Sequence, residues 1–176
     1  MALMVRAELG LSPWDVLHQG LSRLTGLPIG LVSNVVGALV LLLWIPLRQR
    51  PGLGTVSNVI VIGLVVDATL ALLARPDSLA VRIVFLVVGI LLNASAIGLY
   101  VGAGLGPGAR DGLMTGLARR GHSIRLVRGM IEVSVLAAGW LLGGTVGVGT
   151  VLYAGSIGFL VHYLIPRLAI REGSTI

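Results

Sequence analysis

Long continuous apolar runs, rather than alternating apolar and polar positions, dominate the hydrophobic pattern of the chain. A helix of about 20 apolar residues crosses the ~30 Å of hydrocarbon in a bilayer, whereas the strands of a membrane barrel alternate with period two. The pattern therefore predicts an all-α fold, a polytopic transmembrane helix bundle that forms a single membrane domain over residues 1–176. Its five predicted transmembrane helices are Ile29–Leu47, Thr55–Ala74, Leu79–Ala103, Ile124–Leu142 and Val148–Leu168.

Composition agrees with this interpretation. The mean hydropathy is +0.99, and 56% of the residues are hydrophobic while only 11% are charged. A water-soluble protein needs a polar shell around its core, and this chain has too few polar residues to form one. The chain also has no cysteine, which excludes disulfides and thiolate chemistry.

The net charge of +6 comes from 13 arginines, since the chain has no lysine. Through the five predicted spans, four arginines fall on one side of the membrane: Arg6, Arg23, Arg75 and Arg82. The other nine fall on the opposite side: Arg48, Arg50, Arg110, Arg119, Arg120, Arg125, Arg128, Arg167 and Arg171. The positive-inside rule predicts that this second side, with a tail over residues 169–176, is cytoplasmic. Nucleic acid is not an expected partner, because no aromatic residues interleave these charges.

The chain contains an internal repeat. The stretch LGLSPWDVL at residues 9–17 has the same outline as LGPGARDGL at residues 105–113, an offset of 96 positions (105 − 9). The repeat predicts a duplication, with repeat 1 over residues 1–74 and repeat 2 over residues 79–168. Identical pairs at offset 96 are Leu9/Leu105, Gly10/Gly106, Asp15/Asp111, Leu17/Leu113, Gly20/Gly116, Leu21/Leu117 and Arg23/Arg119, and at offset 95 they are Gly52/Gly147, Gly54/Gly149, Thr55/Thr150 and Gly63/Gly158.

The number of crossings between the two copies predicts their relative orientation. Three predicted spans separate Asp15 from Asp111, so equivalent positions are expected on opposite faces of the membrane. Inverted-topology repeats of this kind are characteristic of secondary transporters. Each repeat is predicted to be a three-helix unit with an additional short helix, and the first helix of repeat 1 is largely missing.

The two repeated stretches also predict helix starts. Ser12 is placed as the N-cap, a proline follows, and Asp15 lies at the third helical position, facing the positive end of the helix. Arg110 and Asp111 belong to the same kind of start without the serine. Capping is favoured over ligand or proton binding for the two aspartates, while Trp14 is interpreted as an interfacial anchor and Arg110 as a cytoplasmic charge. The short helices are expected to lie at the interface or to re-enter the membrane.

Several of these motifs together resemble the YczE/YitT-like family of bacterial integral membrane proteins. They are GLSPWDVL, GPGARDGLM, the R-x-x-x-E of Arg128 and Glu132, and the G-x-G-T turns at Gly52–Thr55 and Gly147–Thr150. The resemblance implies a multi-pass protein of the bacterial inner membrane with six helices in its full form. It also implies a connection with pyridoxal-phosphate-binding regulators, which hints at amines or vitamin B6 as solutes.

Polar residues inside the predicted spans are the best candidates for a solute or proton site, because such residues are costly in hydrocarbon unless they face a partner or a cavity. Asp67 and His162 occupy equivalent positions at offset 95 (162 − 67). Arg128 and Glu132 are four residues apart, and a structural ion pair is an equally good interpretation. Packing and hydrogen bonding between helices are alternative roles for Asn93 and His162.

These features favour a transporter or exporter of a small polar or amine-like solute that is not identified. The alternative is a non-transporting membrane partner that stabilises or regulates another complex. The chain has no common hydrolase or nucleotide-binding motif, so no enzyme activity, cofactor or metal site is predicted. The lipid bilayer is the expected partner, and a homodimer is possible through the spacings Gly98/Gly102 and Gly139/Gly143, which packing within one subunit would equally explain.

Overall fold

The computed structural model describes residues 1–103, 106–121 and 123–168. All regular structure in these residues is helical, which confirms the predicted all-α class. The predicted tail, with Arg171, lies outside the described residues, as do Leu105 and His122. The helices are α1 (Ala2–Ala7), α2 (Pro13–Thr25), α3 (Ile29–Leu42), α4 (Leu53–Leu72), α5 (Leu79–Gly102), α6 (Ala109–Ala118), α7 (Ile124–Leu141) and α8 (Val148–Leu168).

Three of these helices are long and apolar enough to cross a membrane alone: α4, α5 and α8, with mean hydropathies of 2.0, 2.3 and 1.6. The helices α2 and α3 form a pair bent by 115°, which brings the number of candidate spans to four if the pair counts as one. In the most apolar 18-residue stretches of α4, α5 and α8, only 17%, 28% and 17% is buried inside the protein. Most of the surface of these helices is therefore open to the bilayer.

Two of the five predicted spans, α3 and α7, are not among the helices that could cross a membrane alone. The helix α3 ends at Leu42 rather than Leu47, which leaves 14 residues, or about 21 Å of rise. Turns follow it because Pro46 has no N–H to continue the helix and disfavours the helical conformation at Ile45. The helix α7 begins and ends within one residue of the prediction, but three charged residues make it less apolar than the other long helices: Arg125, Arg128 and Glu132.

The start of α2 has the capping geometry that the sequence predicts. The hydroxyl oxygen of Ser12 accepts a hydrogen bond from the backbone N–H of Asp15 at 3.3 Å, and Pro13 occupies the first helical turn. The helix α6 begins after Gly108, with Asp111 in its first turn and no side-chain cap. Both helices therefore begin within the repeated stretches.

Each short helix packs on a helix of the opposite predicted repeat as well as on one of its own. The helix α2 lies along α7 and also contacts α3, and α6 contacts both α7 and α3. Glycines permit the first contact, since a Cβ atom on Gly20 would lie only 2.6 Å from the carbonyl oxygen of Gly139. In the second contact, the indole N–H of Trp44, just after α3, donates to the carbonyl oxygen of Ala109 at 3.0 Å.

A G-x-G-T turn of repeat 2 holds the segment that precedes α2. The hydroxyl oxygen of Thr150 accepts hydrogen bonds from the backbone N–H groups of Leu11 at 3.1 Å and of Gly147 at 3.3 Å. Gly10 approaches this turn so closely that a Cβ atom there would lie 2.8 Å from the Thr150 hydroxyl oxygen, and its φ of 120° also favours glycine. The contact is sealed from solvent, since Thr150 is only 4% exposed.

The equivalent turn of repeat 1 holds the segment that precedes α6. The hydroxyl group of Thr55 donates to the carbonyl oxygen of Pro107 at 2.7 Å and accepts from the backbone N–H of Gly52 at 3.2 Å. Gly106 packs against this turn with a φ of 106°. Each predicted repeat thus supplies a turn that fixes the helix-start segment of the other repeat.

Candidate functional site

The starts of α2 and α6 meet inside the protein. A guanidinium nitrogen of Arg110 lies 3.8 Å from a carboxylate oxygen of Asp15. The guanidinium carbon lies 5.1 Å from the centre of the Trp14 ring, a distance at which the cation is attracted to the ring face. We call these three residues, together with His18, the helix-start site.

This contact corrects one expectation from the sequence. Asp15 and Asp111 are predicted on opposite faces, yet Asp15 contacts Arg110, the residue adjacent to Asp111. The expectation was wrong because the number of crossings does not show whether a loop folds back, and the segments held by Thr150 and Thr55 position these starts against each other inside the protein.

The two short helices diverge from their common origin. The helix α2 leads through Gly26 directly to the beginning of α3. At the end of α6, the guanidinium of Arg120 donates to the carbonyl oxygen of Pro46 at 2.8 Å, just past the end of α3. The two helices therefore begin together and end at opposite ends of α3.

The α2 side of the helix-start site is deeply buried. Asp15 is 4% exposed, His18 1% and Trp14 7%, so the interpretation of Trp14 as an interfacial anchor was wrong. The Nδ1 atom of His18 lies 3.7 Å from the Asp15 carboxylate. Within the part of the chain that the structure describes, neither this atom nor the indole nitrogen of Trp14 has a hydrogen-bond partner. A buried carboxylate needs a cationic or donor partner, and Arg110 and His18 are the side chains placed to provide one.

The α6 side is open. Asp111 is exposed, and its carboxylate accepts a hydrogen bond from the Tyr100 hydroxyl group at 2.6 Å. It lines a cavity of about 210 Å³ together with Met114, Thr115, Ile124, Arg125 and Arg128. It also lines a second cavity of about 330 Å³ together with Tyr100, Val101, Gly106 and Pro107.

Three of the five residues predicted for a solute or proton site are Arg128 and Glu132 of α7 and Asn93 of α5. The Nε atom of Arg128 lies 2.9 Å from a carboxylate oxygen of Glu132, and Arg128 lines the smaller cavity beside Asp111. The amide nitrogen of Asn93 donates to the Tyr153 hydroxyl group at 3.3 Å. The Tyr153 side chain packs against the buried apolar cluster that includes Val16 of α2.

The other two predicted residues lie apart from this cluster. The carboxylate of Asp67 accepts from the backbone N–H groups of Gly30 at 2.7 Å and Leu31 at 2.9 Å, which caps the start of α3. His162 is exposed on α8. Their roles in binding a solute or proton stay predictions, and the contacts of Asp67 give it a structural role.

Sequence reasoning missed His18 and Tyr153. His18 has no role assigned from the sequence, although a histidine three residues after an aspartate lies on the same helix face. For Tyr153 the sequence offered no signal, because a tyrosine in an apolar helix is common and its neighbours come from distant segments.

The comparisons with known proteins place this geometry in a set of proteins without an assigned activity. The model of a family of unknown function, DUF6198, matches residues 1–166. An uncharacterized protein of Haemophilus influenzae is 46% identical over 95% of this chain and 77% of its own length. The uncharacterized membrane protein YczE of Bacillus subtilis is 34% identical over 90% of this chain and 75% of its own length, which confirms the resemblance to YczE-like proteins. No solved structure matches the chain.

Proposed function

Because the chain belongs to DUF6198, a family whose function is unknown, its activity must be inferred from its geometry, and we propose that it is a membrane transporter of a small polar solute. The observation that carries the proposal is the meeting of the α2 and α6 starts, with the charge of Arg110 against the buried Asp15. In many transporters, interrupted helices direct their positive N-terminal ends at a solute site inside the membrane. A charged, partly buried group in so apolar a chain is costly unless it serves such a site.

We propose further that the two repeats are related by inverted topology. The exchanged contacts of Thr150 and Thr55 with the segments before α2 and α6 support this relation. The divergence of α2 and α6 towards opposite ends of α3 supports it as well. An axis in the membrane plane between the two helix starts would place the solute path near the centre of the bilayer.

The proposed solute is small and carries balanced or no net charge. Around the helix starts and the smaller cavity, three arginines face three carboxylates: Arg110, Arg125 and Arg128 against Asp15, Asp111 and Glu132. Asp111 would hold an amine group, and the guanidinium groups of Arg125 and Arg128 would hold a carboxylate or a phosphate. This arrangement extends the predicted amine-like solute to one that also bears an anionic group.

The unequal exposure of the two aspartates supports a mechanism of alternating access. Asp15 is enclosed while Asp111 faces two open cavities, as expected of a conformation that is open on one side only. By the positive-inside rule, the open side is cytoplasmic and so is the C-terminus. Because the chain has no cysteine, single Arg120→Cys and Asp77→Cys variants, labelled in intact cells with an impermeant maleimide, test this orientation directly.

The experiment that tests transport uses the purified chain in proteoliposomes on a solid-supported membrane. A panel of amino acids, diamines, phosphorylated amines and neutral polyols is applied, and solute-dependent currents or uptake of labelled solute are measured. We expect flux with at least one zwitterionic solute, and a sharp loss of flux in Asp111→Asn and Glu132→Gln. Asp77→Asn is the matched control, since Asp77 is exposed in a loop.

The alternative function gives a different result. A non-transporting membrane partner would give no flux with any member of the panel and would instead co-purify in fixed stoichiometry with another membrane protein. Normal flux in both Asp111→Asn and Glu132→Gln would contradict the proposed site while leaving transport itself intact.

A further inference from the structure

We propose that Asp15 and His18 form a proton-binding site in which a proton on His18 competes with Arg110 for the Asp15 carboxylate. The proton site rests on the geometry of the α2 and α6 starts. Its second part, that the proton drives solute movement, rests on the proposed transport function.

The geometry around His18 allows it to hold a proton towards Asp15. Its Nδ1 atom faces the Asp15 carboxylate at 3.7 Å, which is longer than the ~2.7–2.9 Å of a charge-assisted hydrogen bond. Among the described residues the same atom has no hydrogen-bond partner, although the residue is only 1% exposed. In the neutral tautomer with its hydrogen on Nε2, Nδ1 and the carboxylate oxygen are both acceptors and do not attract each other. Protonation of the imidazole gives both nitrogens a hydrogen and adds a positive charge, so the two groups can close to a charge-assisted hydrogen bond.

Asp15 has two alternative cationic partners. In the described state Arg110 of α6 lies 3.8 Å from the carboxylate and so connects the two repeats. A protonated His18 would supply the positive charge from within α2 itself, three residues away on the same helix face. The proton comes from water and is returned to water, so the exchange needs no other reactant.

The surroundings leave His18 as the group that changes charge. The charged side chains beside it are Asp15 of its own helix at 3.7 Å and, across that carboxylate, Arg110 of α6. The ion pair of Arg128 and Glu132 lies on α7, which packs along α2. An arginine stays charged at all accessible pH values, whereas an imidazole gains or loses its proton near neutrality.

The exchange would couple protonation to the contact between repeats. When His18 takes up a proton, its charge compensates that of Asp15 within α2, and Arg110 keeps only its contact with the Trp14 ring. The link between the α2 and α6 starts is then weaker, which favours opening of the enclosed Asp15 side. When the proton leaves, Arg110 returns to Asp15 and that side closes.

The test follows the imidazole nitrogens of the full-length protein in lipid nanodiscs by ¹⁵N-histidine NMR from about pH 4 to about pH 9. His18→Gln identifies the signal of His18, and His162→Gln identifies that of a histidine exposed on α8. We expect reversible proton uptake on His18. In Arg110→Gln, removal of the competing cation should raise the proton affinity of His18 by about tenfold or more. Arg110→Lys keeps the charge and should stay within about threefold of the natural chain.

Two results would overturn the proton site. One is a His18 that stays neutral over the whole range in both the natural chain and Arg110→Gln. The other is a proton affinity that is unchanged or lower in Arg110→Gln. If Arg110→Gln does not fold, Asp15→Asn replaces it with the opposite expectation, a lower proton affinity of His18, and an unchanged or higher affinity overturns the proposal.

A pH-sensitive dye inside proteoliposomes separates this inference from the proposed function. Protons that move with a zwitterionic solute, and cease to do so in His18→Gln, would support both. Titration of His18 without any solute flux would refute transport and keep the proton site. Solute flux that is indifferent to a pH gradient, with a His18 that never titrates, would refute this inference and keep transport.

Discussion

Replacing Gly139 with alanine should separate α2 from α7. A Cβ atom at this position would lie 2.6 Å from Leu17 Cα and 2.6 Å from the carbonyl carbon of Val16, while ordinary contact begins at 3.4 Å. The helices would therefore have to move apart by about 0.8 Å (3.4 − 2.6), because backbone atoms cannot rotate away. Overpacking of this kind costs about 1–3 kcal/mol, partly offset by up to ~1 kcal/mol from the better helix propensity of alanine.

Gly129 provides the matched control on the same helix. A Cβ atom there would meet no heavy atom within 4 Å, so Gly129→Ala should leave the free energy of unfolding unchanged or raise it by up to ~1 kcal/mol. Unfolding in mixed micelles, followed by circular dichroism, measures both variants, and solute flux measures whether a displaced α2 weakens the helix-start site. Equal stabilities of Gly139→Ala and Gly129→Ala would refute the close packing of α2 on α7.

Three further predictions concern the cap of α3, the two turns and self-association. Asp67→Asn should lower the free energy of unfolding by about 1–2 kcal/mol, because it removes the charge-assisted bonds to the α3 start. Flux per folded molecule should be unchanged, and lost flux in a protein of normal stability would instead support a role of Asp67 in the solute site. Thr150→Val and Thr55→Val should each cost about 1–3 kcal/mol by leaving buried backbone groups unpaired, and a neutral result for both by chemical unfolding would contradict the exchanged contacts. Self-association stays a prediction: native mass spectrometry in mild detergent should show a dimer that increases with concentration, and a monomer at every concentration would argue against it.

The long helices were predictable because continuous apolar runs leave few alternatives in a bilayer. The structure has α5 from Leu79 to Gly102 and α8 from Val148 to Leu168, within one residue of the predicted bounds. The early end of α3 could have been predicted from Pro46, whose effect on the preceding turn is local. The prediction continued the helix to Leu47 because apolar residues lie on both sides of that proline.

The arrangement of the short helices could not be predicted from the number of crossings. A count of spans fixes the side on which a loop lies, but it does not show whether the loop folds back into the protein. Whether the loop folds back into the protein depends on contacts such as that of Thr150 with Leu11, which join residues 139 positions apart. The same dependence on distant segments explains why Arg110 could be interpreted as a free cytoplasmic charge, since its partner Asp15 lies 95 positions earlier (110 − 15).

The close contact of Gly139 with α2 also gives its G-x-x-x-G spacing a role within one chain. Gly139 meets α2, and a Cβ atom on the neighbouring Gly143 would meet nothing within 4 Å. Small residues allow close approach of backbones, but the sequence alone does not distinguish a partner helix in the same chain from one in a second copy. In this chain the α2–α7 contact accounts for Gly139.

The measurement that tests the account most directly is a cross-link between the starts of α2 and α6 in the native membrane. The pair Trp14→Cys with Arg110→Cys is treated with a short bifunctional thiol reagent, and the intact mass of the protein is measured. The control pair, Trp14→Cys with Arg120→Cys, places the second thiol at the far end of α6. The account predicts that the first pair gains one bridging reagent within a single chain while the control pair gains two separate adducts. A bridge in the control pair, or none in the first, would contradict the meeting of the helix starts on which the proposed transport path depends.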